Sequence, residues 1–131
     1  MTKRSEHEWL ADIISWGERL QRHVDGIDRT TFLGSEIIQD AVCKCIEALG
    51  EAAGKLDDLA PELDRALPGL NLKLARKMRD RISHGYYRID WDIIWDTAVT
   101  SVPETVEAAR SLMRKYDSDD GAGRRASGPP V

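Results

Sequence analysis

Ile37-Ile38-Gln39-Asp40-Ala41-Val42-Cys43-Lys44-Cys45-Ile46-Glu47-Ala48-Leu49-Gly50-Glu51-Ala52-Ala53-Gly54-Lys55-Leu56 decides the fold class. Ile38, Ala41, Val42, Cys45, Ile46, Leu49, Ala52, Ala53 and Leu56 recur at three and four and form one broad apolar face, so the segment is predicted as a core helix. Upstream, Ser5 and Glu8 have capping-box spacing and start a helix with Trp9, Ile13, Trp16 and Leu20 on its inner face, ending near Asp25-Gly26. Thr30 to Ser35 reads as a connector between the two.

Downstream, Pro61 and Pro68-Gly69 punctuate a short helical connector. Leu70 to Ser83 then forms a basic amphipathic helix on Leu72, Leu74, Ala75, Met78 and Ile82, with Gly85 as its expected end. Asp90 is an N-cap for the last helix, whose apolar set runs from Ile93 to Met113. Pro103 interrupts that set and reads equally as a kink or as the first turn of a helix restarted at Ser101. No strand pattern occurs. The expected fold is all-α, an antiparallel four-helix bundle over residues 1–116, followed by a flexible, disordered tail at 117–131 that is rich in glycine and proline.

Composition narrows the function. With 131 residues, 41% hydrophobic and 32% charged, the chain has the make-up of one soluble domain, and no apolar run approaches the ~18 residues of a membrane span. The polar, acidic N-terminus is unlike a signal peptide, so the expected compartment is the cytoplasm. Cys43 and Cys45 point to nearly opposite sides of one helix and read as buried thiols. The scattered His7, His23 and His84 have no metal-ligand spacing, so neither a metal nor a cofactor is expected.

Net charge is −4, yet between Asn71 and Arg88 six basic residues, Lys73, Arg76, Lys77, Arg79, Arg81 and Arg88, face one acid, Asp80. An acidic body with one basic stripe suits a localised anion such as an RNA phosphate or a nucleotide. His84 is the residue able to give and take protons near neutrality, and Arg79, five positions earlier, offers a planar fork of donors for a phosphorane. Five residues on a straight helix turn through about 500°, about 140° out of alignment. The two side chains therefore share a site only if the helix has ended by His84 or if a two-fold dimer joins the segments of two chains.

Plainer readings stand beside these. His84 could be a helix C-cap and the basic stripe a solvated face; Tyr86 and Tyr87 could be a half-buried pair packing the loop. Trp91 and Trp95 fit a core or dimer interface, and Glu51 a polar anchor for the loop.

Met78-Arg79-Asp80-Arg81-Ile82-Ser83-His84-Gly85-Tyr86-Tyr87-Arg88-Ile89-Asp90 resembles the signature of HepT-like proteins, the toxin half of HEPN and minimal-nucleotidyltransferase (HepT/MntA) toxin–antitoxin pairs. Thr31-Phe32-Leu33, Gln39 to Val42, Gly50-Glu51-Ala52 and Trp91 to Trp95 extend the likeness over about Trp9 to Met113. The resemblance implies that Arg79 and His84 form a ribonuclease motif in a homodimer's shared cleft; from the basic stripe Arg76, Lys77, Arg81 and Arg88 are expected on RNA phosphate, and Asp80, Gly85 and Glu51 as motif support. It also implies that an MntA-like nucleotidyltransferase transfers AMP from ATP to Tyr86 and so blocks the RNA site. The position after Arg79 is often asparagine in such motifs and is Asp80 here. A non-catalytic subunit that docks or regulates the nucleotidyltransferase is the alternative, and a nucleotide-binding protein a third.

Overall fold

The computed structural model describes residues 4–127, with side chains through Asp119. Among the described residues there is no strand, and no helix is long and apolar enough to cross a membrane. Four long helical rods make an antiparallel bundle: α1 (Glu6–Val24), α3 (Glu36–Leu59), α5 (Leu72–Gly85) and a last rod built from α6 (Trp91–Asp96) and α7 (Val102–Ser127). Two short helices, α2 (Arg29–Leu33) and α4 (Leu63–Ala66), lie in the connections.

Local chemistry sets most helix starts. Ser5 accepts from the Glu8 N–H at 3.2 Å, Asp28 from Thr31 at 2.8 Å, Ser35 from Ile38 at 3.2 Å, and Asp90 from Asp92 at 3.0 Å. The start of α5 is different, because Asn71 is left-handed (φ 54°) and caps nothing. Asp64, on α4, accepts from the N–H groups of Leu72 and Lys73 at 2.7 and 3.0 Å, so the connector caps the helix it leads into. The Thr30–Ser35 connector is itself mostly helix, with Phe32 fully buried against Trp95 and Trp91 at centroid distances of 5.2 and 6.1 Å. Both tryptophans are partly buried and pack against the core cluster.

Pro103 falls in the first turn of α7, which begins at Val102. Thr97–Ser101 is a π-helical stretch that joins α6 to α7 with helical backbone at both ends. A proline clashes with the carbonyl four residues back and offers it no N–H, and the wider π turn just before it absorbs both defects.

The core runs along α3, where Val42, Cys45, Ile46, Leu49, Ala53 and Leu56 are buried against Leu10, Ile13 and Leu20 of α1 and Val102, Val106 and Ala109 of α7. Both cysteines are buried free thiols, and burial pushes the Cys43 thiol up to about 12. Leu112 is the last fully packed side chain, with Tyr116 against the cluster. Helix α7 is assigned through Ser127, yet among the described residues no side chain after Tyr116 packs on the core cluster, in keeping with a tail from 117; residues 128–131 lie outside the described residues.

Candidate functional site

α5 lies antiparallel on α3 at very short range. An added Cβ at Gly50 would meet the Arg79 Cβ at 2.4 Å and the Ala75 carbonyl at 2.6 Å, and one at Gly54 would meet the Arg76 guanidinium at 2.6 Å. Two glycines one turn apart thus let the basic helix sink into α3. The contact carries a ladder of pairs. Lys73 reaches Asp57 at 3.0 Å, Arg76 reaches Asp58 and the Gly54 carbonyl at 2.8 and 2.7 Å, and Arg79 reaches Glu51 at 3.2 Å. Beyond them Ser83 donates to Glu47 at 3.2 Å and the Tyr86 hydroxyl to Asp40 at 2.6 Å.

This ladder divides the basic stripe. Lys73, Arg76 and Arg79 turn toward α3 and are neutralised by its acids. Among the described residues Lys77, Arg81 and Arg88 have no ion pair; with His84 and the paired Lys73 and Arg76 they line an open cavity of about 730 Å³ between α5 and α6, from whose lining Arg79 is absent. Its floor is apolar, made by Met78, Ile82, Ile89, Ile93 and Ile94, and Asp80 and Asp90 are its acids. Apolar walls with a few convergent charges are what a ligand site requires. Spacing along α5 does not make this division, since Lys73, Lys77, Arg81 and His84 recur at four, four and three on one face; the acids of α3 make it.

Arg79 and His84 are not brought together within one chain. His84 is still helical, α5 runs through Gly85, and a 3-10 turn, Tyr86–Arg88, follows. The helix thus ends at Gly85 as expected, too late to bring His84 round to Arg79 within one chain, and Gly85 carries an ordinary negative φ of −146°. Asp80 links the two residues indirectly. Its carboxylate pairs with Arg79 at 2.9 Å, and its carbonyl lies 2.9 Å from His84 Nδ1. A carbonyl only accepts, so Nδ1 is the protonated nitrogen and Nε2 is left with a free lone pair in neutral imidazole. The Arg79 pKa is raised by its bond to Asp80 and the field of Glu51, which holds it charged.

Glu51 anchors Arg79 rather than the loop. Tyr86 and Tyr87 are not a half-buried pair: Tyr87 is 81% exposed beneath the Arg88 guanidinium, while Tyr86 is held edge-on to Trp91 with its hydroxyl on Asp40. The bond to Asp40, with burial and that carboxylate's field, raises the Tyr86 phenol to about 12. Sequence reading missed Asp40 as a partner of this site, since 46 residues separate it from Tyr86. Among the described residues no group of three His, Cys, Asp or Glu is placed to hold a metal ion.

Comparison with known proteins places this chain in a family. The HepT-like family, described as "Ribonuclease HepT-like", matches residues 13–112. "Putative RNase MJ0125" of Methanocaldococcus jannaschii is 30% identical over 117 residues, 89% of this chain and 98% of its own. "Putative RNase MJ1216" of the same organism is 25% identical over 92% of this chain and 97% of its own. "Probable ribonuclease HepT" of Thermococcus cleftensis is 28% identical over 77% and 89%. No solved structure matches the chain significantly. With most of its length covered, including the whole Arg79 to Tyr86 segment, the chain belongs to the HepT-like ribonuclease family.

Proposed function

We propose that this protein is the toxin of a HEPN/minimal-nucleotidyltransferase pair, a cytoplasmic, metal-independent endoribonuclease acting on tRNA or mRNA. The observation that carries the reading is His84: its Nδ1 is tied to the helix, and the residue lines a cavity with Lys77, Arg81 and Arg88. In the proposed reaction the RNA's own 2′-hydroxyl attacks the adjacent phosphorus, His84 Nε2 takes the hydroxyl proton, and arginine meets the charge that develops on the phosphorane; the bond from phosphorus to the 5′-oxygen breaks, that oxygen leaves with the electron pair and takes a proton from water, and a 2′,3′-cyclic phosphate remains. Arg79 serves a site shared by two chains, since α5 turns it away from His84 of its own chain. The chain thus acts as a homodimer, and an MntA-like nucleotidyltransferase silences it by transferring AMP from ATP to Tyr86. A bulky anion two residues from His84 would occupy the groove and pair with its arginines.

Cleavage of labelled RNA in EDTA tests the reading. Wild-type chain cuts, and His84→Ala and Arg79→Ala each lose activity by about 100-fold or more. Variants that cut as well as wild type refute the catalytic assignment. The double neutralisation of Arg79 by Glu51 and Asp80 favours the rival, a docking subunit. A wild-type chain that never cuts but binds the nucleotidyltransferase tightly establishes it.

A further inference from the structure

The Tyr86 hydroxyl donates to the Asp40 carboxylate at 2.6 Å, a charge-assisted bond between an exposed phenol and an exposed acid. α3 presents Asp40 there, and the 3-10 turn that follows α5 presents Tyr86, with the ring steadied edge-on against Trp91 at 6.3 Å. We propose that Asp40 is the general base for nucleotidyl transfer to Tyr86, so that the acceptor protein carries its own base to the nucleotidyltransferase; this rests on the reading of Tyr86 as the AMP acceptor.

The chemistry needs such a group. A phenol with its pKa up at about 12 is almost wholly protonated near neutrality, so the attacking oxygen must shed its proton as the new bond forms. In the proposed step the Tyr86 oxygen bonds to the α-phosphorus of ATP as the bond from that phosphorus to the β-phosphate's bridging oxygen breaks. The phenolic proton passes to the Asp40 carboxylate, and pyrophosphate leaves with the electron pair. Nothing is oxidised or reduced. Among the described residues Asp40 is the hydrogen-bond partner of the Tyr86 hydroxyl, and Glu47, the next acid along α3, is taken by Ser83 at 3.2 Å.

The test uses the full chain, a purified minimal nucleotidyltransferase and ATP labelled at the α-phosphate. Wild-type chain gains AMP on Tyr86. Asp40→Asn is labelled about 100- to 10,000-fold more slowly, the range general bases supply. The ratio of its rate to wild type rises about tenfold per pH unit from 7 to 9, because hydroxide takes the place of the missing carboxylate. Asp40→Glu recovers part of the rate. Labelling of Asp40→Asn within a few-fold of wild type overturns the proposal, as does a slowed rate whose ratio stays level with pH, the mark of misplacement alone. Undiminished labelling of Tyr86→Phe, or no label on wild type, instead removes the acceptor assignment and the proposal with it.

Discussion

Arg79 and His84 stand five residues apart on one unbroken helix and serve opposite sides of it. Arg79 is clasped between Glu51 and Asp80 in the α3 groove, whereas His84 opens onto the cavity with Arg88 and Asp90. A single chain therefore presents the two halves of its motif separately.

Mixing Arg79→Ala chains with His84→Ala chains restores RNA cleavage if the site is shared. Each mixed dimer then holds one intact composite site, and random pairing returns roughly a quarter of wild-type activity. Cleavage measured after unfolding and co-refolding the two variants checks this. A persistent zero means that Arg79 and His84 of the same chain act together.

Asp80→Asn frees Arg79 from one of its two carboxylates while leaving the Asp80 carbonyl on His84 Nδ1. The variant binds RNA more tightly, by about two- to fivefold, the scale of an exposed ion pair. Titration of a non-cleavable RNA at two salt concentrations reads the gain, which shrinks at the higher salt.

Gly50→Ala places a methyl group 2.6 Å from the Ala75 carbonyl, a backbone atom that cannot rotate away. Overpacking of roughly 1–3 kcal/mol outweighs the gain of about 1 kcal/mol in helix propensity. A lower urea midpoint is expected, and RNA cleavage falls with it because Arg79 Cβ must move.

The raised Tyr86 pKa predicts a stability change in alkali. The folded phenol ionises near 12 against an ordinary value near 10, so the unfolded chain loses its proton first as pH rises. The contribution is whole below pH 10 and is lost as pH climbs from there through 12. Phenolate absorbance follows it directly: Asp40→Asn brings one tyrosine midpoint down toward 10, and Tyr86→Phe removes that midpoint.

The helix starts at Ser5 and Asp90, the buried face of α3 and the basic face of α5 were legible in the sequence. Each depends on residues within a few positions of one another, where side-chain period and capping geometry act. The cap that Asp64 places on α5 was not legible, nor was the π stretch before Pro103. In both, packing between distant segments chose among local options that the sequence left open.

The Arg79 to Tyr86 segment shows the same boundary. Its residue types and spacing determined that an arginine would be carried on a basic helix with a histidine at or near its end and a phenol after it, and left open whether the helix reached the histidine. Only the tertiary structure decided which cations are neutralised, which line the cavity, and that Tyr86 rests on Asp40. Those outcomes depend on the register of α5 against α3, which is set by the depth to which Gly50 and Gly54 let the two helices approach. A charge counted along the chain has no partner until that approach is made.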